Sequence, residues 1–347
     1  MNTTMKGIVK ERPAPGAVLR TGLPIPAVGD NDVLVKVRAS AICGTDMHIM
    51  SWGEYAASRV PIPMVFGHEF SGDVVKVGKD VTVCAVGDRV AGETHIPCNH
   101  CYQCEHDHRH ICENMKIIGV HVPGCFSDYI SIPQDCVYRI SDSTTYEVGA
   151  MLEPMGVAVH GVATAEVKDK NVLVFGCGPI GLMAVGACKA WGAKTIIAAD
   201  IMANKLAVAS NMGADLALNS MDADFRQRIL DATNGVGVDV AIDYTGSASA
   251  VQSGLSLVRK GGRFVLVGLP NKPMTLDLAD LIIYKEITMI GVTGRRMYET
   301  WEQCEQILAS GKFDIHKVVG GTYPLEKFEE AFQALKDGCP GKMLLIP

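Results

Sequence analysis

The sequence predicts an α/β protein of two domains, one β-rich and one built on a doubly wound parallel sheet. Three observations predict this. The chain has 347 residues, about two domains at roughly 100–200 residues each. Before Ser141, short valine-rich runs are punctuated by glycine, the pattern of strands and turns. From Asn171 onward, short apolar runs alternate with helical stretches, the pattern of βαβ units.

Composition excludes several classes. Hydrophobic residues make up 48% and charged residues 20% of the chain, too apolar for a disordered protein. Thirty-eight acidic residues against 32 basic ones leave a net charge of −6, with no excess of cations to neutralise a phosphate backbone. Nucleic acid is therefore not an expected partner. The opening MNTTMKGIVKERPAPG lacks the apolar core of a signal peptide, so a cytoplasmic location is expected. Thiols stay reduced there, and clustered cysteines among the twelve point to metal. The uncharged run Asn171 to Cys188 contains Gly176, Gly178, Pro179 and Gly181. It reads as strand, turn and helix rather than a membrane span.

The elements follow in order. Val33, Val35 and Val37 alternate with Leu34, Lys36 and Arg38, which predicts a strand. GHEFSGDVVKVGKDVTVCAVGDRVAG predicts further strands and turns. The texture changes around Ser141 to Glu147. Val172–Phe175 reads as a strand, followed by a glycine turn and an apolar helix to Trp191. Thr195–Ala199, Val238–Asp243, Arg263–Val267 and Ile287–Val292 read as later strands. MYETWEQCEQILASGKF and LEKFEEAFQALKDG read as amphipathic helices. No long linker separates the halves, so closely packed domains with a ligand cleft are expected.

Gly176-Cys177-Gly178-Pro179-Ile180-Gly181 fits G-x-G-x-x-G directly after a strand and at the start of a helix. In that context the pattern predicts a dinucleotide site. The first glycine permits the tight turn, the second admits the pyrophosphate, and the third lets helix and strand pack closely. Asp200 ends the next strand, 19 residues after Gly181. A carboxylate there accepts hydrogen bonds from the adenosine ribose and repels a 2′-phosphate, which favours NAD over NADP.

Cys98, Cys101, Cys104 and Cys112 follow the spacing C-x2-C-x2-C-x7-C. Four thiolates close a tetrahedron around zinc with no open position, which makes a structural site. An iron–sulfur cluster and other ligand sets drawn from His100, His106, His108 and His110 are alternatives at this stage. A zinc-ribbon binding module is the competing non-enzyme reading, although only Arg109 supplies a cation within the lobe. Cys43, His68 and Glu69 lie outside it. Cysteine, histidine and carboxylate are suitable zinc ligands, and a set of three leaves a fourth position for a hydroxyl.

The order ICGTDMH, GHEF, C-x2-C-x2-C-x7-C and G-x-G-x-x-G resembles the zinc-dependent medium-chain dehydrogenase/reductase superfamily along the whole chain. That resemblance implies a GroES-like catalytic domain over 1–152 and 294–347, with the structural zinc lobe at 95–115. It implies a Rossmann coenzyme domain over 153–293. It also implies two zinc ions per chain, one catalytic on Cys43, His68 and Glu69, with Glu153 as an alternate ligand. ICGTDMHIMSW, AGETHIPC, NMKIIGVHVPGCFSDY, GRRMYETW and the closing GKMLLIP most resemble the branch that oxidises L-threonine. By that resemblance Thr45 and His48 form a proton relay, and His95 lines the substrate pocket. Ile180, Asp200, Lys205, Val267, Gly268, Leu269, Val292 and Thr293 contact NAD, and a homotetramer is implied. Arg295 and Arg296 are candidates for the substrate carboxylate, or a solvated or intersubunit charge pair. Val157 departs from the asparagine of many threonine-oxidising relatives. LEPMGVAVH is equally at home in polyol and butanediol dehydrogenases, so an amino-acid or a diol substrate is expected.

Overall fold

The computed structural model describes residues 3–347. It divides into two compact units. The first contains residues 1–153, 296–301 and 319–347, and the second contains 154–295 and 302–318.

The first unit is the β-rich one. Its strands are Thr4–Lys10 (β1), Val18–Pro24 (β2), Asp32–Ala41 (β3), Met64–Val65 (β4), Glu69–Val77 (β5) and Arg89–Gly92 (β6). His95–Ile96 (β7), Lys116–Ile117 (β8), Tyr129–Pro133 (β9) and Val137–Arg139 (β10) follow. β3 carries the alternation expected of it, and Val33, Val35 and Val37 all enter the core. It is also the hub of the main sheet, pairing antiparallel with β5 and β9.

The second unit supplies six parallel strands: Asn171–Phe175 (β11), Thr195–Asp200 (β12), Leu216–Asn219 (β13), Val238–Asp243 (β14), Val258–Leu266 (β15) and Thr288–Gly291 (β16). Their order is β13-β12-β11-β14-β15-β16, the doubly wound arrangement of a dinucleotide-binding sheet. The order reverses between β11 and β14, so the crevice for a ligand lies at their carboxyl ends. Asn171 to Cys188 is a strand, a turn and the first part of a helix. No helix among the described residues is long and apolar enough to cross a membrane.

The chain then returns to the first unit. Val319–Pro324 (β17) and Lys342–Ile346 (β18) extend the main sheet, with β18 antiparallel to β3 through Leu344–Ala41 and Leu345–Ser40. The boundaries differ from those expected by one or two residues at Glu153 and at 294–295, and by one whole segment. Residues 302–318 cluster with the second unit, not with the β-rich one. The reason is packing. Phe313 lies so close to Gly186 that a Cβ there would be 2.1 Å from its ring. Ile315 and Val318 are buried, and Lys317 Nζ donates to the Asn211 carbonyl at 3.1 Å.

Candidate metal centres and coenzyme site

Cys43, His68 and Glu69 converge in the first unit. Cys43 caps the N-terminus of the helix Gly44–Ser51, His68 precedes β5, and Glu69 opens it. One ligand atom from each lies within 4.8 Å of the others. His68 and Glu69 are buried. Asp46 Oδ2 accepts the Cys43 N–H at 2.8 Å, while Asp46 Oδ1 stands 3.6 Å from His68 Nδ1. Both of those last atoms are buried with no hydrogen-bond partner. Such orphans are rare inside proteins, and here they flank a thiol, an imidazole and a carboxylate.

The charges of this set act strongly on one another. Burial disfavours an imidazolium, yet the Asp46 carboxylate and Cys43 outweigh it and lift His68 to about 10. Burial pushes Glu69 up to about 7 against the pull of Lys342. The same Asp46 carboxylate and Cys43 thiol would face a cation held by His68 and Glu69. The donors fit zinc, with three ligands and room for a fourth.

Two groups here had no counterpart in the sequence reading. Asp46 occupies the third position of its helix, where a side chain reaching back to the cap is a recognisable local signal. Lys342 has no local signal. It reaches Glu69 from β18, 273 residues away, and bonds both carboxylate oxygens, with Oε2 at 2.6 Å.

Thr45 and His48 sit three residues apart on the Gly44–Ser51 helix, hence on one face. Thr45 is half-buried and His48 exposed. Glu153 is buried, and its charge acts on Asp46, His68, Glu69 and Lys342. His95 Nδ1 lies 2.9 Å from Glu93 Oε1. Arg295 is not solvated but buried in the second unit, its alkyl chain packed on Gly156. Arg296 is exposed and pairs with Glu299 at 3.3 Å.

The four-cysteine lobe closes as its spacing requires. The sulfurs of Cys98, Cys101, Cys104 and Cys112 lie within 4.8 Å of one another. Cys101 is 3.5 Å from Cys104 and 3.8 Å from Cys112. A zinc–thiolate tetrahedron with bonds near 2.3 Å has edges of about 3.8 Å. Backbone N–H groups of Cys98 and Asn114 donate to Cys112 Sγ at 3.2 and 3.3 Å, which stabilises a thiolate. None of the four lobe histidines joins the cluster.

In the second unit the glycines meet the demands placed on them. Gly176 has φ +89°, the left-handed region. Gly178 caps the helix Pro179–Ala190 and has open space where a Cβ would stand. A Cβ on Gly181 would lie 1.7 Å from the Gly176 carbonyl oxygen. Asp200 ends β12 as expected, and it also binds the turn itself. Its carboxylate accepts the N–H groups of Cys177, Ile201 and Met202 at 2.7, 2.8 and 3.0 Å. About four lone-pair sites on a carboxylate leave one for a ribose hydroxyl. Lys205 and Ile180 are half-buried on neighbouring helices. Val267, Gly268 and Leu269 follow β15, and Val292 and Thr293 follow β16, all at the carboxyl edge of the sheet.

Comparison with known proteins agrees with this geometry. Residues 29–142 match the family model described as alcohol dehydrogenase GroES-like domain, and residues 179–310 match that of zinc-binding dehydrogenase. An L-threonine 3-dehydrogenase of Bacillus subtilis is 41% identical over 343 residues, 99% of either chain. The chain belongs to the zinc-binding dehydrogenase family. As a zinc-binding dehydrogenase it is an oxidoreductase acting on a CH–OH group with NAD and zinc, and the zinc-ribbon module is set aside. An alcohol dehydrogenase of Escherichia coli complexed with NADH is similar to it, with TM-score 0.89 and 28% identity over all of both chains. So is the 2R,3R-butanediol dehydrogenase of Bacillus subtilis, with TM-score 0.87 and 30% identity over 99% of each chain.

Proposed function

We propose that this zinc-binding dehydrogenase oxidises the secondary hydroxyl of L-threonine to 2-amino-3-oxobutanoate. NAD+ takes the hydride from the carbinol carbon, and the hydroxyl proton leaves to solvent. The observation that carries the chemistry is the set Cys43, His68 and Glu69, two of them buried, with three donors within 4.8 Å. Held by them, zinc supplies Lewis acidity that makes a hydroxyl acidic near neutral pH. Asp46 anchors the Cys43 backbone, and its second oxygen lies beside the His68 ring. Thr45 accepts the departing proton and donates its own toward His48, which faces solvent. Glu153 is a reserve ligand whose charge also stabilises the cation. His95 lines the substrate pocket. Gly176, Gly178, Ile180, Gly181 and Asp200, with Lys205 and the loops after β15 and β16, hold NAD.

The amino-acid substrate is supported by identity near 41% with an L-threonine 3-dehydrogenase against 30% with a butanediol dehydrogenase. Val157 favours a second reading, a polyol or diol substrate on the same machinery. Steady-state assays with NAD+ on L-threonine, 2,3-butanediol and sorbitol separate the two. A kcat/KM for either alcohol clearly above that for L-threonine overturns the amino-acid reading. A homotetramer in the cytoplasm is part of this proposal, supported by the family resemblance. Light scattering giving the mass of one or two chains would overturn the assembly.

A further inference from the structure

Lys342 is a buried lysine whose three ammonium donors have three acceptors: both Glu69 oxygens and the Ile42 carbonyl at 3.1 Å. Such matching leaves no donor unsatisfied and retains the positive charge. Around it, the Ile42 N–H donates to the Met343 carbonyl at 2.9 Å. The C-terminal strand thus grips the residue before ligand Cys43 and the side chain of ligand Glu69 together. Packing alone does not require a cation at this point. A neutral side chain would fill the space without placing a charge beside a metal site.

We propose that Lys342 is a positioning residue that weakens the hold of Glu69 on zinc, making that ligand exchangeable. Two effects act together. The ammonium competes for the same carboxylate oxygens that a metal would take. Its charge also repels a dication across a few ångströms of buried protein, where Coulomb interactions are poorly screened. Exchange of Glu69 would free a further position beside the open one, and buried Glu153 supplies a second carboxylate to the same charge cluster. The inference rests on Cys43, His68 and Glu69 being the metal ligands.

The test begins with zinc-loaded protein and measures affinity at the open site by competition with dipicolinate, the four-cysteine zinc serving as internal reference. Lys342→Gln keeps a hydrogen-bond donor for Glu69 but removes the charge. Zinc at the open site is then held at least tenfold more tightly, and a cobalt(II) replacement shows a shifted ligand-field band. Lys342→Arg keeps the charge and stays within about threefold of the parent. Unchanged or weaker zinc binding in a natively folded Lys342→Gln protein would overturn the proposal, because a purely structural lysine predicts that outcome. Should Lys342→Gln not fold, the pair Glu69→Gln and Glu69→Gln/Lys342→Met decides, since the double variant removes both charges of the buried pair. The double variant must bind zinc more tightly than the single one. A parent protein holding only one zinc would instead overturn the ligand assignment itself.

Discussion

Trp301 donates its indole N–H to the buried carboxylate of Glu93, 3.0 Å away, across 208 residues of sequence. The other Glu93 oxygen accepts the His95 backbone N–H and lies 2.9 Å from the His95 ring. Both Trp301 and Glu93 are fully buried. Trp301→Phe removes one donor to a charged acceptor together with part of the buried ring volume. It should cost about 1.5–3 kcal/mol of stability, read by urea unfolding. A change below about 0.5 kcal/mol, within ordinary scatter for neutral surface changes, would show that the bond is not stabilising.

Gly181→Ala forces a methyl group toward the Gly176 carbonyl oxygen, which is backbone and cannot rotate away. The glycine turn and its helix must separate. Overpacking of this kind costs about 1–3 kcal/mol, and the pyrophosphate cradle opens with it. NADH affinity, read by fluorescence titration, should fall at least tenfold. Retention of parent affinity would contradict the close-packing role.

Cys43→Ser and Cys101→Ser should separate the two metal centres. Cys43→Ser leaves one zinc per chain, abolishes turnover and keeps the thermal transition near that of the parent. Cys101→Ser breaks a closed four-thiolate site and lowers Tm, because binding energy at such a site is folding energy. Zinc content by atomic absorption and calorimetric melting check both. Near-normal turnover in Cys43→Ser would refute its assignment as a ligand.

His48→Gln removes the exposed end of the proton path while leaving the ligands in place. General acid–base groups contribute about 10²–10⁴-fold, and kcat should fall by roughly 10²-fold with zinc content unchanged. An unaltered kcat at every pH would show that the proton leaves by another route.

Asp239 predicts part of the acid limb of stability. Burial alone would raise its carboxyl, but the Arg259 guanidinium at 2.6 Å and the Asn171 N–H at 2.8 Å outweigh it and hold it below its ordinary value. A depressed carboxyl stabilises the fold above its unfolded pKa, and the contribution fades as pH falls through the folded value. Asp239→Asn should therefore lose stability near neutral pH and show a flatter decline below about pH 4. Parallel stability–pH curves for variant and parent would contradict this.

Much of the site is legible in short stretches of chain. The four cysteines and the three glycines each act within one loop, so spacing alone restricts what they can build. Alternation in β3 and the apolar runs of β11, β12 and β14 mark buried strands for the same local reason. β13 escaped notice because this edge strand has only four residues and places only Leu218 in the buried core. Residues 302–318 cluster apart from the unit that the resemblance implies for them, because a resemblance carries over the order of domains without naming what covers each apolar face.

Residue types and their order along the chain sufficed for fold class, coenzyme and the expectation of zinc, since these chemistries demand particular atoms at particular separations. Which charges surround the donors was settled by folding. The Lys342–Glu69 pair and the Trp301–Glu93 bond join residues more than 200 positions apart. No local pattern encodes such pairings, because a buried charge selects its partner by proximity in space, after the strands that carry them have been laid side by side.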